Sequence, residues 1–395
     1  MNLLIVEPEI RGHFLSLYVR SIIKFFKTKK KIYLLTSKKI YKSNVLKVLV
    51  KENPNIKIII SKDIRYPNMK NPLMLIIYQL VNFLRIRKSI FKYNKKLNFD
   101  HIFFTNLDHF DKVLCFFKNP FQFIKFSGIL VNPRVHQFYN KNAINFKFKI
   151  YKFFLSLLTS NNYLIKIFSN DILFYNFSRR KLNKKKIVYF NEPIIFNKKN
   201  KKSKNVFFKK NSLKILVYGA IRCSKSFEEL IDLVKKIQSK INVHIIVAGQ
   251  HELEVKKFLN KKNLLKNKVY KNFTIINRFI YPDEEQNLFL STDLVWCVYK
   301  NTPLGSSGVF HLSCNYLKPV ITNKEGLIGW YNNKYKLGPI LNFQDENDYL
   351  ISSKKLIELF NNKKKYNQFY SNQQKLLKIF RKQKKLGQMV KDFVT

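Results

Sequence analysis

Acidic residues are scarce in this chain of 395 residues: Asp and Glu number 24 against 75 Lys and Arg, a formal charge of +51. Glycine (10) and proline (11) are also few, which excludes collagen-like and linker-like chains. The four cysteines, Cys115, Cys223, Cys297 and Cys314, form no CxxC pair. Neither a disulfide framework nor a zinc module is expected, and a reducing compartment fits that usage. No Asp-x-Asp pair occurs. No segment reaches about 18 uninterrupted apolar residues, so no transmembrane helix is expected. The longest apolar run, Leu73 to Leu84, is broken by Gln79 and Asn82. The opening MNLLIVEPEI has no Lys or Arg before its apolar run. It reads as a first strand and not as a signal peptide, which places the protein in the cytoplasm.

What is abundant is apolar material, 46% of residues, so the high charge does not signal disorder. The cations are 64 Lys and only 11 Arg, in a chain crowded with Asn, Ile, Phe and Tyr. A surface selected for nucleic acid would favour Arg, whose planar fork grips phosphate in two places. The basicity therefore reads as AT-rich codon usage, and attraction to an anionic membrane is at least as good an alternative as nucleic acid. Phe146 to Phe168 alternates Phe, Ile and Leu with Lys. It reads as an amphipathic helix and strand facing the core, with a membrane-surface segment as the alternative.

Short apolar runs alternate with helical patterns along the whole chain, which predicts parallel sheets with helices on both faces. In the first half strands are expected at Leu3–Glu7, Ile32–Thr36, Ile56–Ser61, His101–Thr105, Gly128–Val131, Leu164–Phe168 and Ile187–Phe190. The polar, basic stretch NKKNKKSKNVFFKK is the best linker in the chain. Beyond it, strands are expected at Lys214–Tyr218, His244–Ala248, Thr274–Asn277, Leu294–Val298, Pro319–Thr322 and Ile340–Phe343. The fold class is thus α/β, with two doubly wound, Rossmann-like domains facing a cleft. The expected division is 1–196, a linker at 197–211, a second domain at 212–362 and a helical tail at 363–395. Doubly wound sheets bind ligands at the carboxyl ends of their strands.

Three segments of the second half suggest chemistry at such strand ends. In KILVYGAIRCSKSFEEL a strand ends at Gly219, and Arg222 and Lys225 follow beside a helix start. Fixed cations next to a helix N-terminus suit a diphosphate, with a solvated basic loop as the alternative. In DLVWCVYKNTPLGSSGVFHLSCNY, Gly305, Ser306, Ser307 and Gly308 open a helix. Their backbone N–H groups and hydroxyls can meet phosphate oxygens, or a serine can simply cap the helix. In the third segment the strand Lys318-Pro319-Val320-Ile321 delivers a loop with Glu325 and two glycines. Glu325 can accept from ribose hydroxyls, or serve as an acid near a helix start.

In order and spacing, the stretch from about Lys214 to Phe360 resembles the nucleotide-sugar-binding domain of GT-B glycosyltransferases, in particular the retaining glycosyltransferase family 4. Gly219, Arg222 and Lys225 match the family's diphosphate grip. Lys318-Pro319-Val320-Ile321 looks like its strand after the phosphate-binding helix, and Gly338-Pro339-Ile340 with Asp345–Leu359 looks like its ending. The family's two glutamates, eight residues apart, are absent here: Thr302 to Leu312 holds no carboxylate. The chain therefore looks like a divergent branch. The first half resembles the acceptor-side domain of the same fold. Gly12 and His13 in EPEIRGHF occupy the place of its donor-facing loop. Asp108 and His109 after one strand, and His136 after the next, look like its acceptor-side positions, where His can take a proton near neutral pH.

The resemblance implies transfer of a sugar from a nucleoside-diphosphate sugar to an acceptor hydroxyl, with retention of configuration and in surface glycan synthesis. The catalytic candidates are His13, Asp108, His109 and His136. Gly12, Gly219, Arg222, Lys225 and Gly305 to Gly308 are candidates for the diphosphate, and Glu325 for the ribose or sugar. No metal and no cofactor beyond the donor is expected. The partners implied are the nucleotide sugar, a carbohydrate or lipid-linked acceptor and peripheral contact with an anionic membrane, but not nucleic acid. Alternatives are a sugar-nucleotide epimerase or hydrolase of the same fold, and a non-catalytic or nucleic-acid-binding basic protein.

Overall fold

A computed structural model describes residues 2–8, 14–26, 31–62, 72–139, 145–193, 211–261, 272–300 and 305–394. The chain divides into two compact units, Met1–Ile195 with Gln383–Thr395, and Phe196–Lys382. The expected linker at 197–211 lies outside the described residues up to 210, as do Gly12 and His13.

The first unit is built on seven parallel strands: β1 (Asn2–Val6), β2 (Lys31–Ser37), β3 (Ile56–Ser61), β4 (His101–Phe104), β5 (Lys125–Ile129), β6 (Leu164–Ser169) and β7 (Ile187–Tyr189), in the order β3-β2-β1-β4-β5-β6-β7. The second holds five parallel strands: β8 (Leu213–Tyr218), β9 (Val243–Ala248), β10 (Phe273–Ile276), β11 (Leu294–Trp296) and β12 (Val320–Ile321), in the order β10-β9-β8-β11-β12. Both sheets run outward in opposite senses from their first strand, so strand order reverses between β1 and β4 and again between β8 and β11. That reversal opens a crevice at the strands' carboxyl ends.

Near-continuous apolar runs make these strands, as sheets covered on both faces require. Leu4 and Val6 of β1 enter one core with Ile102, Phe104 and Phe126, while Leu3 and Ile5 enter another with Leu34 and Phe168. The second unit's core joins Ile215, Val217, Ile245 and Val247 to Leu230 and Val234 of the Phe227–Ile237 helix. Helix starts are set by polar caps. Ser43 Oγ accepts from Leu46 N (3.3 Å), and Asp171 Oδ1 from Leu173 N (2.9 Å) and Phe174 N (3.0 Å).

Two expectations need correction. Ile340–Phe343 is not a strand: Ile340 makes one isolated bridge to Thr322. The segment after Thr322 is not a glycine-bearing loop but leads straight into a helix, Gly326–Tyr335. Two glycines in its first turn weaken the local helical signal, while burial of Leu327, Ile328 and Tyr331 supplies the helix's stability through packing. Gly329 lies so close to the preceding chain that an added Cβ would stand 2.2 Å from the Lys324 carbonyl oxygen. The last residues form two helices. Lys363–Lys382 belongs to the second unit, and Leu386–Val394 to the first, where Leu386 and Val390 are buried beside Leu3 and Ile5.

Candidate functional site

In the second unit the site builds outward from Gly219, the residue after β8. Its φ of +89° is left-handed territory open to glycine. Neighbouring Gly249, after β9, has φ +139°, and a Cβ there would fall 1.8 Å from the Gly219 oxygen. The two strand ends therefore close onto each other because Gly249 lacks a side chain, while Gly219 supplies the positive φ.

Lys225 lies in the Cys223–Lys225 turn and folds inward. It is 6% exposed, and its Nζ donates to the Tyr218 carbonyl. A Cβ on Gly219 would stand 3.6 Å from Nζ and 3.4 Å from Val309 Cγ2. The ammonium, the glycine turn and the first turn of the Gly308–Asn315 helix thus share one place. The Trp296 indole donates to the Lys225 carbonyl (2.8 Å) and fixes the turn from β11. Burial, with a smaller contribution from Arg222, pulls the Lys225 ammonium down to about 8. Arg222 is close enough to act on Lys225 electrostatically, but its side chain is exposed and its Nε lies 3.1 Å from Glu252 Oε1.

The serine-rich turn is wired into the fold. Ser307 caps the helix by accepting from Phe310 N (3.3 Å), and its hydroxyl shares a 2.8 Å hydrogen bond with Tyr299. Ser306 shares one of 2.7 Å with His311 Nε2. Burial holds His311 down at about 3, so it is neutral. Capping and anion binding are compatible: a helix's first N–H groups lack intrahelical partners, and Ser307 Oγ takes only that of Phe310. Glu325 is exposed at the N-cap of the Gly326–Tyr335 helix, with no side-chain capping bond. Asn323, two residues earlier, donates to the Tyr299 carbonyl (3.1 Å), which ties this loop to the end of β11.

In the first unit the polar candidates hang from β4, β5 and β6. Glu7, after β1, is fully buried and accepts from Thr105, after β4, across the point where strand order reverses. Asp108 accepts from Val131 N (2.8 Å) and Asn132 N (3.1 Å), so its carboxylate holds the loop after β5. Burial, and secondarily Asp111, raises Asp108 to about 6. Together with Gln79, Lys112, Arg134 and Tyr151 it lines a cavity of about 200 Å³. His109 pairs through Nε2 with Asn106 (2.9 Å). His136 turns to the next strand end, with Nε2 3.4 Å from Asp171 Oδ2. Burial lowers His136 to about 4 and raises Asp171 to about 6, which leaves the imidazole unprotonated at neutral pH. Among the described residues no group of three or more His, Cys, Asp or Glu is placed to hold a metal ion.

Sequence reasoning passed over Tyr299, His311 and Glu7. An aromatic at the end of an apolar strand, or a His inside a helix, reads as core from pattern alone. The usable signal was position: Glu7 directly follows switch-point strand β1, and Tyr299 lies three residues past switch-point strand β11.

No family model matches the chain, and no curated protein does. Solved structures do. Sucrose-phosphate synthase from Thermosynechococcus elongatus superposes with a TM-score of 0.67 at 10% identity, over 96% of this chain and 94% of that one. WaaG, a glycosyltransferase involved in lipopolysaccharide biosynthesis, gives 0.65 at 11% identity over 100% and 99%. Anabaena HepE, solved in complex with UDP and glucose, gives 0.61 at 12% identity over 99% and 98%. The chain has the GT-B fold, two Rossmann-like domains of parallel strands.

Proposed function

We propose that this protein is a glycosyltransferase that moves a sugar from a nucleoside-diphosphate sugar to an acceptor hydroxyl. The observation that carries the reading is the buried Lys225 ammonium beside Gly219 and Val309, at the carboxyl end of β8 and the first turn of a helix. A cation without a carboxylate partner among the described residues, next to helix N–H groups, suits a leaving diphosphate. Structural neighbours that bind UDP add support of a coarser kind.

In this reading the bond between the anomeric carbon and the phosphate oxygen breaks, and a bond to the acceptor oxygen forms. The new charge on the diphosphate is met by Lys225 and the Gly305–Gly308 turn, and by Arg222 once it leaves Glu252. The acceptor proton passes to a group of the first unit. His136 is unprotonated at neutral pH, and Asp108 ionises above about 6, so either can take it. Glu325 is assigned to the ribose or donor sugar. Retention of configuration, independence from metal, and an acceptor that is a surface carbohydrate or a lipid-linked hydroxyl belong to the same proposal. So do Gly12 and His13 on the donor-facing loop.

The test is release of nucleoside diphosphate from UDP-, GDP-, ADP- and CDP-sugars, with and without a panel of acceptor glycans and glycolipids. Acceptor-dependent release is expected with one donor. Lys225→Ala should cut it by about 10²–10³, the cost of one lost oxyanion contact, and Arg222→Ala by less. Release that is equally fast without acceptor would favour a hydrolase. Unchanged turnover in the Lys225 variant would remove the assignment.

A further inference from the structure

The longest helix of the first unit, Pro72–Leu97, is apolar on two sides. Phe83, Ile86 and Ile90 are buried in the core. On the opposite side Met74, Ile77, Val81 and Leu84 follow one another at helical spacing and are each between 37% and 51% exposed. The Phe146–Ser160 helix repeats the arrangement. It buries Leu155, Leu158 and Thr159 and leaves Phe146, Ile150 and Phe153, four and three residues apart, 74%, 37% and 54% exposed. Leu75 and Gln79 of the first helix line the same cavity as Tyr151 and Phe154 of the second, and the short Asp111–Leu114 helix packs against both.

Scattered exposed apolar residues need no explanation, but two stripes at helical spacing do. Neither helix contains a single Asp or Glu. Arg85, Lys88 and Lys92 continue the first helix, and Lys147, Lys149 and Lys152 interleave with the second stripe. No helix among the described residues is long and apolar enough to cross a membrane. Helices of this composition lie in the plane of a bilayer surface, with their apolar side chains at the acyl boundary and their lysines at lipid phosphates. Two copies of this face related by a two-fold axis would instead set cations against cations.

We infer that the exposed sides of these two helices dock the protein on an anionic lipid bilayer. The inference rests on none of the donor chemistry, whose residues belong to the other unit. It is therefore tested without a nucleotide sugar. The full chain is sedimented with vesicles of phosphatidylcholine alone and with vesicles enriched in phosphatidylglycerol. The variant Ile77→Ser/Val81→Ser/Phe153→Ser is compared with a control, Val45→Ser/Val48→Ser, altered at equally exposed positions of the Asn44–Glu52 helix (48% and 54%). The protein and the control should bind the anionic vesicles, with neutral ones at least about tenfold weaker. The triple variant, folded by circular dichroism, should lose about tenfold or more, since each large apolar side chain withdrawn from water contributes on that scale. The inference is overturned if the protein binds neither vesicle, or if the triple variant binds like wild type, which would make the attraction one of diffuse charge. An equal loss in the control overturns it too. So does a dimer, seen by ultracentrifugation, that the triple variant dissolves while vesicle binding stays unchanged.

Discussion

A buried ammonium costs stability, and Lys225, whose Nζ donates to the Tyr218 carbonyl, shows how much. Its value is about 8 in the folded protein against 10.5 for a free lysine. Between those pH values the unfolded chain holds more protons than the folded one, so this group makes stability rise with pH across that window. Below about 8 the full cost is present. Replacing Lys225 with Met should therefore raise the unfolding free energy at pH 7 by about 1–3 kcal/mol, after allowance for the lost bond to Tyr218. The gain should fade as pH climbs toward 10.5. Urea unfolding at pH 7 and at pH 10 checks this. A variant less stable than wild type at pH 7 would mean that the bond to Tyr218 outweighs burial, and that Lys225 is there for structure. Arg222 is the contrasting case: it is exposed and paired with exposed Glu252, a contact of little energetic weight that is easily exchanged for another anion.

Among the elements, the strands were the most legible because their apolar runs are continuous and bounded by polar residues. The expected runs fall within a few residues of β1 to β12. Ile340–Phe343 has the same composition as a strand, but the structure gives it only one bridge, and pairing is a tertiary fact that pattern does not carry. In the site, Gly219, Lys225 and the serine turn stood out because their residue types suit a phosphate. The hydrogen bond joining Ser307 to Tyr299 was invisible, since it joins the loop after a strand to a helix start. The helix Leu386–Val394 illustrates packing of the same long-range kind. Leu386 is 1% exposed and Phe393 meets Phe168 edge-on at 5.9 Å. Leu386→Ala should lower the stability of the first unit by about 2–5 kcal/mol, read as an earlier urea transition. An unshifted transition would show that this helix is dispensable to the unit.

Taken as a whole, the molecule couples two parallel sheets of seven and five strands to a charge of +51. Such a field draws any anion and weakens with salt, so by itself it specifies nothing. Specificity has to come from a built site, and the best-built one places a buried cation at the β8 switch-point end. Calorimetric titration of UDP-, GDP-, ADP- and CDP-sugars into the full chain, at physiological salt and beside Lys225→Met, tests this directly. The account predicts saturable binding of one nucleotide-sugar class that Lys225→Met weakens by about tenfold or more, as loss of a charge-assisted contact should. Binding of every class alike, equally strong in the variant and dissolving as salt is raised, would contradict it.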